Sequence, residues 1–204
     1  MRYFIIFILL VGFNTNHAKE TQKPNFIIIL TDDQGWNALS TLMDPDIPGS
    51  GSTYYQTPNL DQLAKEGMRF SRAYSSGPTC SPTRHSLQFG RTPASLQIFF
   101  PYHKKNKDID AKDNESLANV LKSHCPEYVT AHFGKWHIGR TPEKLGFEIN
   151  DGNNGNLRSS PDTENDPKYT FSLTKKAIGF LEKQKKANKP FLLQVSYYAD
   201  HRWY

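Results

Sequence analysis

This sequence predicts an α/β fold with a mostly parallel central sheet and helices on both of its faces. Two apolar runs carry much of that reading. "FIIIL" (26–30) and "FLLQV" (191–195) are each bounded by polar turns, as expected of strands buried on both faces. Between and beside them, strand and helix patterns alternate along the chain, the order that a layered α/β domain needs. No internal repeat breaks that order.

The first strand stops at Asp32 and Asp33, and a stretch rich in Gly, Pro and Ser (44–57) reads as a loop. A helix follows, with Thr57 as N-cap, Pro58 in its first position, Leu60, Leu63 and Ala64 on one face, and Gly67 as its stop. "MRFSRAYS" (68–75) reads as a short second strand. Ser81 to Phe89 reads as a helix, with Pro82 in its first turn and Gly90 closing it. "NESLANVLKSH" is a third helix, and "EYVTAHFGKWHIG" a strand running into a glycine-flanked loop. Gly146 to Lys168 is a long irregular excursion. The last helix spans Thr170 to Ala187, with Phe171, Leu173, Ala177, Ile178, Phe180 and Leu181 as its apolar set, and "PFLLQVSYYADH" adds the final strand. The chain ends at Tyr204 with no helix to cover that strand, which predicts the front part of a longer domain, incomplete at its C-terminus.

The 204 residues are 37% hydrophobic and 22% charged, which is globular composition and argues against disorder. Residues 1–18 stand apart. Arg2 leads into an apolar run from Tyr3 to Phe13, too short to span a bilayer at roughly 20 residues, and Ala18 offers a cleavage point, so the segment reads as a secretory signal peptide. The expected location is secreted or periplasmic, with no membrane span after cleavage. The net charge is +5. "YHKKNK" and "EKQKKANK" are its densest basic clusters, and neither is interleaved with aromatics like a single-strand platform, so no nucleic-acid partner is expected.

Ligands of open parallel sheets bind beyond the carboxyl ends of the strands. Four segments meet that rule: Asp32 and Asp33, the loop of Cys80, Lys135 with His137, and Asp200 with His201. Adjacent carboxylates at Asp32 and Asp33 suit a hard divalent cation, Ca²⁺ or Mg²⁺, or else simply cap a turn. Cys80 opens a helix whose N-terminus favours negative charge, and Arg84 one turn on offers forked donors to the same anion. Lys135 and His137, two apart in extended chain, point the same way and supply charge and proton transfer. The plainer readings are a Cys80–Cys125 disulfide, a surface salt bridge for Arg84, and an ordinary core histidine. Taken together, the four sites point to metal-assisted sulfuryl or phosphoryl transfer with residue 80 as nucleophile.

"CSPTRHSLQFGR" (80–91) resembles the first signature of the type I sulfatases of the alkaline phosphatase superfamily, and "GKWHIG" (134–139) is similar to the second. "PNFIIILTDDQGW" resembles the family's opening strand and "PFLLQVSYYADH" a later one, so the likeness covers nearly all of 24–204. The resemblance implies an alkaline phosphatase-like fold and a sulfuric ester hydrolase. Cys80 would be oxidised by a formylglycine-generating or sulfatase-maturing enzyme to formylglycine, whose hydrate is the nucleophile. Asp32, Asp33 and residue 80 would hold calcium, with magnesium as an alternative. Arg84 would steady the hydrate, Lys135 would contact sulfate, His137 would hold residue 80, and His201 would protonate the leaving alcohol. The implied substrates are sulfated carbohydrates or aryl sulfate esters, and Tyr197, Tyr198 and Trp203 hint at stacking on a sugar or aryl group.

Two departures accompany the likeness. "RWY" follows His201 where the family has a small residue and then proline, and the family's remaining metal ligands and a further sulfate-binding lysine have no counterpart within 204 residues. The chain by itself is therefore expected to be inactive. A phosphonate or phosphate monoester hydrolase of the same superfamily, and a non-catalytic glycan-binding homologue, are the competing readings.

Overall fold

The structure is a computed structural model that describes residues 23–98, 115–155, 165–199 and 201. The signal segment 1–18, Asp200 and Trp203 lie outside the described residues.

Four parallel strands form one sheet: β1 (Phe26–Leu30), β2 (Val129–Gly134), β3 (Ile149–Asn150) and β4 (Phe191–Ser196), in the spatial order β1-β4-β2-β3. The helices are α1 (Pro58–Glu66), α2 (Cys80–Phe89), α3 (Leu117–His124) and α4 (Thr170–Ala187). β4 pairs with β1 from Phe26↔Leu192 to Leu30↔Ser196 and with β2 from Val129↔Phe191 to Gly134↔Ser196. The last of these strands in sequence thus lies between β1 and β2, and it draws their ends to one rim.

Strand alternation divides the core between the two faces. Leu193 and Val195 of β4, with Ala131 and Phe133 of β2, pack against Leu173, Ala177 and Phe180 of α4. On the opposite face Leu192 joins Phe89 of α2, Ala118 of α3, Trp136 and Phe147. A parallel sheet with helices on both faces is therefore present as expected.

α2 begins at Cys80, and Gly90 closes it in the left-handed conformation that a residue without Cβ adopts readily, with its N–H on the Ser86 carbonyl. α3 is capped by Ser116, whose hydroxyl accepts from Asn119 N–H at 3.3 Å. α4 has the bounds the sequence predicts.

Several expectations are corrected. Among the described strands β1 lies at the edge rather than being buried on both faces, and Ile29 is 62% exposed. No residue of α1 is buried; its apolar face leaves Leu63 61% exposed, and Thr57 spends its hydroxyl on Ser40 and Asp61 instead of a backbone cap. Residues 68–75 form no strand, and Met68, Phe70 and Tyr74 are exposed there, without the burial that would reward an extended pairing segment. Phe171 and Ile178 of α4 are exposed, while Gln184 is buried. The excursion after Gly146 holds the short strand β3 that its composition hid.

At the end of β2, Gly134 has φ 96°, and a Cβ there would lie 2.0 Å from the Ser196 carbonyl oxygen. Gly134→Ala is expected to cost about 2 kcal/mol or more, from strain and from the separation of β2 and β4. A urea denaturation midpoint equal to the parent's would show that the strands can part without loss.

Candidate active site

Backbone hydrogen bonds between loops hold the rim together. Tyr197 N–H donates to the Leu30 carbonyl at 2.8 Å, Lys135 N–H to the Ser196 carbonyl at 2.9 Å, and Asp32 N–H to the Ala199 carbonyl at 2.9 Å. Residues following β1, β2 and β4 are thereby fixed relative to one another before any side chain is considered. The N-terminus of α2 lies on the same rim, and a cavity of about 490 Å³ there is lined by Asp32, Asp33, Gln34, Ser75, Thr79, Cys80 and Arg84 among others.

The centre of the site is a buried ionic cluster. Lys135, 1% exposed, donates from Nζ to Asp32 Oδ2. Arg84, itself buried, donates from one guanidinium nitrogen to the Lys135 carbonyl and approaches Asp32 Oδ1 with another at 3.4 Å. Burial pulls Arg84 below the usual guanidinium range, and the Asp32 carboxylate opposes that shift. One carboxylate thus answers two cations that water cannot reach.

Cys80 Sγ lies 3.1 Å from His137 Nδ1 at the mouth of this cluster. Burial, reinforced by the neighbouring Lys135 and Arg84 charges, lowers His137 to about 4, so its imidazole is neutral near pH 7. Both cysteines are free thiols, so the Cys80–Cys125 disulfide is absent. Across the cavity, His201 Nε2 stands 3.9 Å from Asp33 Oδ2. Asp33 and His137 adopt φ of 58° and 56°, conformations that cost of order 1–3 kcal/mol for residues bearing a Cβ. Lys135 and His137 therefore reach the site through a left-handed turn and not through the extended chain that their spacing suggests: Lys135 turns to Asp32, His137 to Cys80.

The structure brings Asp32, Asp33, Cys80, Arg84, Lys135, His137 and His201 to one rim. Of the suggested stacking aromatics, Tyr198 is packed into the core, and Tyr197 is half-buried with its hydroxyl 2.8 Å from Thr174 Oγ1. For a metal, the two carboxylates on the cavity fit a hard cation in chemistry. They fall short in number, because no group of three or more His, Cys, Asp and Glu is placed to hold an ion among the described residues.

Sequence reasoning missed a buried polar chain under the site. Gln88 of α2 donates to Gln194 Oε1 at 2.8 Å, Gln194 donates to Ser196 Oγ at 3.1 Å, and that hydroxyl lies 3.2 Å from His132 Nε2. It ties the helix carrying Cys80 and Arg84 to β4 and β2. The signal was there: His132, Gln194 and Ser196 are polar residues inside otherwise apolar strands and share one face by alternation.

The sulfatase family model matches residues 24–204. The chain belongs to the sulfatase family. Among curated sulfatases, the ulvan-active sulfatase of Formosa agariphila is 32% identical over 201 residues, covering 89% of this chain and 36% of its own length. Arylsulfatase G of Homo sapiens is 36% identical over 130 residues, covering 64% of this chain and 23% of its own length. Among solved structures, Ps i-CgsB in complex with k-i-k-neocarrahexaose superposes with a TM-score of 0.69 at 26% identity, over 89% of this chain and 46% of that one. BT4656 in complex with its substrate D-glucosamine-2-N,6-O-disulfate gives 0.66 at 28%, over 88% and 35%. The chain thus spans less than half the length of each of these sulfatases.

Asp32→Asn removes the carboxylate and leaves Lys135 and Arg84 buried without their counter-charge; a loss of about 3–5 kcal/mol is expected by urea denaturation, and an unchanged midpoint would mean that the cations are balanced elsewhere.

His132, fully buried and near Arg84, is lowered from 6.5 to about 3, chiefly by burial. Its folded value lies below its unfolded value, so its contribution to stability is complete above pH 6.5 and is lost as pH falls toward 3. Within that window, the stability of His132→Gln is expected to fall less steeply with acid, by up to about 1.4 kcal/mol per pH unit, the slope of one proton. Parallel stability curves for the two proteins would show that another group carries the acid sensitivity.

Proposed function

We propose that the full-length protein is an exported sulfuric ester hydrolase in which residue 80, matured from cysteine to formylglycine, is the nucleophile. The observation that carries this reading is Cys80 Sγ at 3.1 Å from His137, at the start of α2 and beside the Asp32–Lys135–Arg84 cluster. A thiol at a helix N-terminus next to surplus buried positive charge is suited to an anionic ester.

Formylglycine supplies a hydrated aldehyde, one hydroxyl to attack sulfur and a second from which the aldehyde re-forms as sulfate leaves. Asp32 and Asp33 would hold a calcium ion, or magnesium, which when bound supplies fixed positive charge against the sulfate oxygens. Lys135 and Arg84 balance charge that builds on the sulfate in the transition state; both are already desolvated, so little reorganisation is needed. His137, neutral near pH 7, orients residue 80 through Nδ1 and can take up a proton when sulfate is released from it. His201, beside Asp33, donates a proton to the departing alcohol oxygen.

The substrate class is a sulfated glycan, with simple aryl sulfates as surrogates. Relatives named for ulvan and N-acetylgalactosamine 6-sulfate, and a structural neighbour bound to a glucosamine disulfate, support that choice. The 204-residue chain by itself is proposed to be inactive, because its described residues bring only two carboxylates to a cation that takes six to eight oxygens. Export rests on residues 1–18, and a maturing enzyme is the partner that the nucleophile requires.

Full-length protein co-produced with a maturation system is expected to hydrolyse an aryl sulfate in preference to the matching aryl phosphate, with peptide mass spectrometry detecting an aldehyde at residue 80. Cys80→Ala should lower kcat/KM by about a thousandfold or more, as losses of a catalytic nucleophile do. A preference for phosphate, or an unmodified Cys80 in active enzyme, would overturn the reading.

A further inference from the structure

The turn that delivers Lys135 and His137 is held from outside the site. Lys135 N–H donates to Ser196 on the β4 side of β2, so by alternation Gly134 N–H faces the opposite side, toward β3. β3 ends at Asn150, opposite His132, and so stops short of it. Gly134 is buried, and a buried backbone N–H needs a partner. Here a side chain takes the place of the missing strand: both carboxylate oxygens of Asp151 accept from Gly134 N–H, at 3.1 and 3.2 Å.

The next residues of the same loop complete the hold. The Asn154 carbonyl accepts both Trp136 N–H at 2.6 Å and His137 N–H at 3.0 Å, while its carboxamide donates to the Asp151 carbonyl at 2.9 Å. Three of the four N–H groups from Gly134 to His137 therefore end on Asp151 and Asn154, and the fourth on β4. Asp151 is the one ionised acceptor among them, and a hydrogen bond to a carboxylate is roughly twice as strong as one between neutral groups. Lys176 of α4 pairs with the same carboxylate at 3.0 Å, but its side chain is half exposed, and an ion pair open to water contributes little. Gly134 and His137 both lie at positive φ, 96° and 56°, so the turn depends on neighbours that hold it there.

We propose that Asp151 is a positioning residue of the site: through Gly134 N–H it fixes the turn that sends Lys135 to Asp32 and His137 to residue 80. The proposal rests on the reading of residue 80 as the nucleophile of a sulfate-ester hydrolase. A displacement of about 1 Å in a reacting group can cost on the order of a hundredfold in rate. Asp151 thus acts on the rate through two other side chains, without contact to the thiol or to Asp32.

The test uses full-length protein matured at residue 80. Asp151→Ala is expected to lower kcat on an aryl sulfate by about tenfold or more. Asp151→Asn keeps an amide oxygen for Gly134 N–H and should restore kcat to within about threefold of the parent. Lys176→Met removes only the exposed ion pair and should leave kcat within about twofold. Hydrogen exchange read by peptide mass spectrometry adds a measure that needs no activity. Amides 134–137 should exchange about tenfold faster or more in Asp151→Ala and near the parent's rate in Asp151→Asn, with peptides of α2 unchanged in both. Parent kcat or parent exchange in Asp151→Ala would overturn the proposal, as would faster exchange spread through α2, the mark of a general loss of stability. Asp151→Asn or Lys176→Met as impaired as Asp151→Ala would also overturn it, because the ion pair and not the hydrogen bond would then hold the turn. A parent that hydrolyses no aryl sulfate, with exchange of 134–137 still set by residue 151, would uphold the hold on the turn and sink the hydrolase reading.

Discussion

Asp32 sits between two cations drawn from different parts of the chain, Lys135 after β2 and Arg84 on α2. None of the three could be buried alone, since an uncompensated interior charge costs several kcal/mol. Their meeting therefore fixes the end of β1, the end of β2 and the angle at which α2 crosses the sheet. The cluster also carries one positive charge in excess. The ionic contact that stabilises the rim is thus what makes the rim attractive to an anion, and structure and chemistry here share the same atoms.

Support for this cluster comes from beneath. The chain of hydrogen bonds from Gln88 through Gln194 and Ser196 to His132 runs along the face of the sheet that α2 covers. Apolar side chains there would pack as well but would not dictate a single register between helix and strands. Polar groups with directional partners do, because any slip leaves a buried donor unpaired. Asp33 and His137 add strained backbone at the rim itself, a cost that the surrounding hydrogen bonds hold in place.

Much of this was legible in the sequence, and the misses share a cause. α2, α4 and β4 could be read from local signals: a glycine stop after Phe89, the periodicity over 170–187, and an unbroken apolar run. The site residues could be picked out because polar groups at strand ends stand out against apolar neighbours. Tertiary position was not legible. Periodicity does not distinguish an edge strand from an inner one, so β1 was expected to be buried; a helix with an apolar face reads the same whether or not a partner covers it, as α1 shows. The spacing of Lys135 and His137 brought both to the site, but the left-handed turn that separates their directions leaves no trace in residue type, because His137 carries no glycine-like signal.

The strand order has a temporal consequence. β4 fills the gap between β1 and β2, yet it is the last strand of the four to be synthesised, more than a hundred residues after Cys80. Until residue 196 exists, β1 and β2 have no common neighbour, and Asp32 cannot be drawn against Lys135. At a ribosomal pace of roughly 5–20 residues per second, the thiol spends about 5–20 s in a nascent chain whose pocket is not yet closed. The sulfur of Cys80 therefore lies in an open segment first and in a half-buried one once β4 has joined the sheet.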